Sequence, residues 1–314
     1  MNTDSFPTVN PLIPPLADND YLIPLIAEMT GVDVCNVTER LIQEHLHCPH
    51  SVAEAFYAKK LTPYVWSDDL LTFYEETDSF IYGIVAWNRS QVKCVMRQWM
   101  LDFLRSHDVP YGRVLICGDG IGIDSFFFAQ AGYDVVFYEV SRLGQKMGKR
   151  LFDDYGLRVQ IADSLETLGA GSFDAVLSLD VLEHVPSPPD NVSELSRYLK
   201  QGGLFVVSAP FYAVHPKWPT HLKCNRKYSG RTNWISKAGD LNLVGGRMLA
   251  NPLVFQKRFE DGKSTFALSW LSRCSLGFGN ILLRLSATFP NPILHIVLTM
   301  HRYDKQLRRL RPVK

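Results

Sequence analysis

RVLICGDGIGIDSFFFAQAGYDVVFYE, residues 113–139, is the stretch on which the reading of this chain turns. An apolar run, Val114 to Cys117, enters three alternating glycines, Gly118, Gly120 and Gly122. A helical segment follows, and a second apolar run, Val135 to Tyr138, ends on Glu139. The pattern predicts a strand, a glycine turn, a helix and a second strand with a carboxylate at its tip. Glycine lets the backbone turn tightly and lets a ligand come close to it. The helix behind the turn aims its free amides at that ligand. A carboxylate at the next strand's tip can accept hydrogen bonds from both hydroxyls of a ribose. The unit therefore predicts a site for an adenosine-type cofactor.

A dinucleotide fingerprint places glycine at its first, third and sixth positions. Counted from Gly118 the sixth residue is Ile123, so the spacing is G-x-G-x-G and a nicotinamide oxidoreductase is disfavoured. The stretch resembles the first motif of class I S-adenosylmethionine (SAM) dependent methyltransferases, VLDxGxGxG. Later segments follow that family's order. Leu157 to Ile161 reads as a third strand, followed by Asp163 and Ser164. FDAVLSLDVLEHV, residues 173–185, resembles the fourth-strand motif, in which the strand ends beside the cofactor and an acid–His pair follows. A helix over Asn191 to Lys200, stopped by Gly202 and Gly203, leads to a fifth strand, Leu204 to Ser208. The resemblance covers roughly residues 90–260. It implies an α/β fold, a Rossmann-like seven-stranded mixed sheet with helices on both faces. It implies SAM as cofactor, held by Gly118, Asp119, Gly120, Gly122, Glu139, Asp163, Ser164 and Asp180, with Glu139 on the ribose and Asp163 near the adenine. One departure stands out. The family carries an acid two residues before the first glycine, where this chain has Ile116. Asp119, inside the turn, is the candidate to take over part of that role.

Composition sets the outer limits. The 314 residues are 46% hydrophobic and 21% charged, values of a globular chain with ample core. No basic segment followed by an apolar one opens the sequence, so the expectation is a cytoplasmic protein with six free cysteines. The net charge of +1 hides an asymmetry. Residues 1–80 hold 13 acids and 3 bases, whereas residues 211–314 hold 18 bases and 4 acids. The basic end packs against the acidic third, forms a solvated tail, or meets an anionic surface.

Three regions follow. Residues 1–90 read as a Pro-rich arm and a helical cap, 91–260 as the SAM-binding core, and 261–314 as an apolar-then-basic extension. In the cap, Asn36 with Glu39 predicts a helix over 37–47, and Ser51 to Lys60 a second. Val92 to His107 is amphipathic, with Val92, Val95, Met96, Trp99, Met100, Phe103 and Leu104 on one face. Asn233 to Asp240 reads as a helix, and Leu241–Leu249 with Leu253–Phe259 as an edge hairpin. Residues 285–300 lack charge but contain Pro290 and Pro292, a poor spanning helix.

Methyl transfer needs an acceptor held in line with the methyl group and, for a hydroxyl, a base. His184, after the fourth strand, is the first candidate. His215 and His221, in the loop after strand five, are the others, with Tyr212 and Trp218 as an aromatic wall. The His/Cys-rich EHLHCPH, residues 44–50, fits no zinc spacing, so no metal is expected there or elsewhere. The expected partner is a small-molecule acceptor methylated at O, N or C, enclosed by the cap. That enclosure argues against nucleic acid, and DVLEHV in place of an Asn-Pro-Pro-Tyr tetrad argues against amino-methylation of bases. Alternatives are a SAM-binding scaffold of weak activity, or a methyltransferase of lipid or quinone-type acceptors at a membrane surface through the basic C-terminus. A homodimer built on the extension is a further reading.

Overall fold

The computed structural model describes residues 7–107, 109, 111–247, 252–260, 262 and 264–288. Six helices come first: α1 Pro14–Ala17, α2 Asn19–Thr30, α3 Val34–His47, α4 Ser51–Ala58, α5 Asp68–Glu76 and α6 Ser79–Asn88. Helix α7, Gln91–Ser106, leads into the alternating part: β1 Arg113–Cys117, α8 Ile123–Gln130, β2 Asp134–Tyr138, α9 Arg142–Asp154, β3 Val159–Ile161, β4 Phe173–Leu179, α10 Pro188–Arg197, β5 Leu199–Ser208 and α11 Asn233–Gly239. Strands β6, Leu241–Gly246, and β7, Leu253–Lys257, and helix α12, Trp270–Thr288, complete the described chain.

The strands form one sheet in the order β3-β2-β1-β4-β5-β7-β6. β1 to β5 pair in parallel, and β7 runs antiparallel to both β5 and β6. This is the expected seven-stranded mixed sheet. Its central strands are apolar on both sides because helices cover both faces. Val114, Ile116, Val135, Phe137, Leu177 and Val206 pack into the layer beneath α7, α8 and the cap. Their alternate neighbours Leu115, Val136, Val176, Phe205 and Val207 pack with residues of α10 and α11. Ile116, in the position where the family has an acid, is thus part of the apolar core.

Several boundaries differ from the sequence expectation. Helix α3 starts at Val34, because the Asp33 carboxylate accepts the Asn36 amide and caps it three residues early. Gly202 and Gly203 do not stop a helix. α10 ends at Arg197, and both glycines lie inside β5, where the register against β4 shifts. The last residues expected in β6 and the chain beyond 288, with its basic tail, lie outside the described residues.

The largest difference is in α7. Val92 and Val95 are 56% and 44% exposed, whereas Lys93 and Arg97 are buried. The helix is turned so that these two cations reach Asp124, in the first turn of α8. Lys93 Nζ lies 3.0 Å from one Asp124 oxygen, and Arg97 Nε donates to the other at 2.7 Å. Arg97 also donates to Asn88 Oδ1 and to the Pro11 carbonyl. Burial works against the Asp124 charge, but Lys93 and Arg97 outweigh it and hold the carboxyl below its ordinary range.

A depressed carboxyl pKa gives stability that is present above the unfolded value and is lost as pH falls through the folded one. Asp124→Asn should therefore flatten the acid limb of the stability curve. Asp124→Ala, which leaves two cations buried, should cost about 3–5 kcal/mol. Urea unfolding at neutral pH, followed by circular dichroism, reads that cost.

Candidate active site

The C-terminal ends of β1, β2 and β4 meet below α6 of the cap. Between β1 and α8 the chain turns through Gly118, Gly120 and Gly122, all at positive φ of 60–79°. Side chains at these points would be strained and would also collide, at Gly118 with Val181 and at Gly120 with Ile84 of α6. Glu139, at the tip of β2, is buried. Its two oxygens accept one amide each, from Gly120 at 2.7 Å and Ser141 at 2.9 Å. Burial raises its pKa, against those amides, which favour the charged form. A carboxylate has about four acceptor sites in all, so capacity for a further donor remains. Gly118, Gly120 and Glu139 are thus brought together as the sequence predicts.

Asp119 sits in the same turn but faces α8. Its oxygens accept the Asp124 amide at 3.0 Å and the Ser125 amide at 2.6 Å, so its carboxylate is committed to the helix N-terminus. Asp163 is exposed after β3. Ser164 caps the short turn behind it by accepting the Glu166 amide. Asp180, at the end of β4, holds a positive φ of 58°. It receives Trp87 Nε1 of α6 at 3.0 Å and Ser208 Oγ at 3.2 Å, with Lys93 Nζ at 3.8 Å.

A second group lies just beyond Asp180. His184 and His221 face each other edge to face, with ring centres 4.6 Å apart. Glu183 Oε1 is 3.7 Å from His184 Nε2. One ligand-type atom from each of the three residues lies within 4.8 Å of the others. His184 Nδ1 lies 3.2 Å from the Thr220 carbonyl and 2.9 Å from the Tyr74 hydroxyl. A carbonyl can only accept, which places the proton on Nδ1 and the lone pair on Nε2. Burial pushes the His184 pKa down to about 4 and the His221 pKa well below its ordinary value, so both rings are neutral. Burial also pushes Glu183 up, with Asp180 adding to it. His215 stands apart from this group. Its Nδ1 accepts the Lys217 amide, and its ring packs against Trp218.

The supporting residues gave no signal in the sequence. Asn225 donates to the Leu182, Glu183 and Val185 carbonyls and so knits the turn that carries Glu183 and His184. Tyr74, Ile84 and Trp87 come from the cap, and Tyr74 and Trp87 lie 110 and 93 residues before their partners in the chain. Only a local pattern can be read along a sequence, and these contacts have none.

A family model described as a methyltransferase domain matches residues 115–207. A ubiquinone biosynthesis O-methyltransferase of Xanthomonas axonopodis pv. citri is 32% identical over 174 residues, covering 48% of this chain and 72% of that protein. The chain belongs to the class I SAM-dependent methyltransferases. A protein of the same name from Bordetella avium is 35% identical over 95 residues, covering 29% of this chain and 39% of its own length. Among solved structures, a Burkholderia thailandensis 1,6-didemethyltoxoflavin-N1-methyltransferase is similar at 16% identity and a TM-score of 0.43, covering 65% of this chain and 89% of that one.

This methyltransferase uses SAM, and the residues present fit it. The glycine turn presents bare backbone at positive φ beside the buried Glu139 carboxylate, whose oxygens accept the Gly120 and Ser141 amides. Hydrogen bonds to a charged acceptor contribute about 1.5–3 kcal/mol. Glu139→Ala should therefore weaken SAM and S-adenosylhomocysteine by about 10- to 100-fold, read by calorimetric titration. Equal affinity in the variant would show that the ribose is held elsewhere.

Proposed function

We propose that the enzyme methylates a hydroxyl of a small, largely apolar acceptor, and that Glu183, His184 and His221 form the acceptor end of the site. The observation that carries this is the buried triad itself, next to Asp180 and covered by the cap. The relatives named as O-methyltransferases support the hydroxyl. When bound, SAM supplies an electrophilic methyl group on a sulfonium. The chain's part is placement and proton handling. Gly118, Gly120 and Glu139 fix the cofactor end, with Asp163, Ser164 and Asp180 as further cofactor contacts. His184, its lone pair on Nε2, and His221 face the acceptor oxygen and receive its proton as the oxygen–carbon bond forms and the sulfur–carbon bond breaks. His215 and Trp218 line the approach.

The cap restricts the acceptor. Val52, Phe56, Leu70 and Phe73 of the cap pack with Leu222, next to His221. Tyr64 exchanges backbone hydrogen bonds with the loop, donating to Pro219 at 2.8 Å and accepting from Lys223 at 2.9 Å. A cap tied to the acceptor loop in this way suits a small molecule rather than a polymer. His184→Ala and His221→Ala should each lower kcat by about 10²–10⁴-fold on a phenolic acceptor found by screening. Affinity for S-adenosylhomocysteine should stay unchanged. A loss of cofactor binding instead would assign the histidines to the fold.

A membrane-surface setting for this enzyme is favoured by α12. Its inner side buries Leu276 and Leu283, while Trp270, Leu271, Phe278, Ile281 and Leu285 are all at least half exposed. Arg226, Lys227, Arg231 and Arg284 line one concave patch beside it. Apolar residues flanked by cations suit an anionic bilayer interface, and no described helix is long and apolar enough to cross a membrane. Flotation with phosphatidylglycerol-containing vesicles should capture the protein, and Leu271→Glu with Phe278→Glu should release it. A dimer in solution that the same changes dissociate would assign the face to a second copy instead.

A further inference from the structure

We propose that Arg226, Arg231 and Arg284, with Lys227 beside them, form a binding site for a single phosphate group. The site goes beyond the bilayer contact of α12 and is independent of the methyl-transfer chemistry. Three separate observations point to it.

The first is charge without an answer. The four cations line one concavity of about 250 Å³, and none of the residues lining it is acidic. None of the four takes part in an ion pair among the described residues. Like charges on one wall repel, and an anion seated between them replaces that repulsion with attraction. The second is unmet hydrogen bonding. Nε and Nη2 of Arg226, on one edge of the guanidinium, are buried with no hydrogen-bond partner. Buried donors left bare are costly. Such an edge offers two parallel N–H groups that match two oxygens of a phosphate. Arg226 itself lines the concavity, so a modest rotation of its side chain brings this edge to an anion.

The third is the frame that holds the cations. The short turn Lys223–Tyr228 carries Arg226 and Lys227. The Arg226 carbonyl accepts the Ser229 amide at 3.1 Å, and the Tyr228 carbonyl accepts the Arg231 amide at 3.0 Å. Helix α12 brings Arg284, whose Nε donates to the Gly230 carbonyl at 2.9 Å. Ser229 Oγ donates to the Leu283 carbonyl at 2.9 Å. Gly230, at a φ of 61°, has no room for a Cβ against the Asn280 carbonyl and the Arg284 amide, so loop and helix touch backbone to backbone. The cations therefore come from two elements already fixed to each other, which lowers the ordering cost of binding.

Its position ties the site to the rest of the molecule. Asn225, next to Arg226, holds the turn that carries Glu183 and His184. Ser229 and Arg231 also line a second cavity, whose wall includes Ser208 and Tyr212. Ser208 Oγ in turn donates to Asp180. A ligand with its phosphate on the arginines thus has a cavity leading from it toward Asp180. A soluble phosphate monoester and the headgroup of an anionic lipid share the required chemistry.

The test is calorimetric titration of full-length protein with inorganic phosphate at constant ionic strength set by chloride. Saturation at one equivalent is expected. Arg226→Gln combined with Arg284→Gln should weaken binding by at least about 10-fold. Arg231→Gln, at an exposed position that the fold tolerates, should weaken it in the same direction, and Lys146→Gln on α9 should leave it unchanged. Circular dichroism and S-adenosylhomocysteine titration of the same proteins report the fold and test the methyltransferase reading separately. Phenyl phosphate that displaces inorganic phosphate, without capture by phosphatidylglycerol vesicles, assigns the site to a soluble monoester. Vesicle capture that inorganic phosphate competes and the arginine substitutions abolish assigns it to a lipid headgroup. No saturable phosphate binding by folded protein overturns the proposal, even if vesicles capture the protein through its apolar face. So does binding that the arginine substitutions leave unchanged. Arginine-dependent phosphate binding in protein that fails to bind S-adenosylhomocysteine upholds the anion site and rejects the cofactor reading alone.

Discussion

The buried contact of Asp124 with Lys93 and Arg97 sets the geometry of the whole site. It joins α7, which follows the cap, to the helix that follows the glycine turn. Lys93 extends the link to Asp180 at the end of β4, and Arg97 extends it to Asn88 of α6 and to the N-terminal arm. A buried ion network is poor grounds for expecting high stability, since desolvation offsets much of the attraction. It is, however, intolerant of misplacement. Any other rotation of α7 would strand two cations in apolar surroundings. The network therefore fixes where α6 lies, and α6 brings Ile84 onto Gly120 and Trp87 onto Asp180.

The cap and the loop after β5 are held to each other by apolar packing and hydrogen bonds. Phe56 and Phe73 share a small apolar cluster with Leu222, and Tyr74 reaches His184. The result divides the site into two ends with different chemistry. At the cofactor end, backbone amides and Glu139 form a polar cradle. At the end proposed for the acceptor, the Glu183 carboxyl group and two neutral imidazoles sit beside Tyr74 and Trp218. Burial has a different consequence for each. It leaves Glu139 answered by amides, whereas it leaves Glu183 and His221 with unanswered atoms.

The sheet and the cofactor end were legible along the chain because they are local. Central strands covered on both faces are short apolar runs, and the turn needs glycine at three fixed positions. The reading of Val92 to His107 held for the helix and for Met96, Met100 and Leu104, which are buried, and failed at its flank, where Val92 and Val95 are exposed and Lys93 and Arg97 are buried instead. Apolar periodicity takes Lys93 and Arg97 for solvent-facing residues, and only Asp124, 27 residues on in the case of Arg97, turns them inward. The reading of Gly202 and Gly203 as a helix stop failed because glycine serves an irregular strand equally well. His184 and His221 were both visible as candidates. Their contact with each other, and the separation of His215 from them, were not.

The sequence by itself determined the fold, the cofactor class and Glu139 as the ribose candidate, since each depends on residues within one strand–turn–helix–strand unit. Tertiary structure alone decided the burial of Lys93 and Arg97 on α7, the seat of the cap and the meeting of Glu183, His184 and His221. These depend on the desolvation of charges and on contacts between residues far apart in the chain. No period of hydrophobicity and no spacing of residues records such contacts.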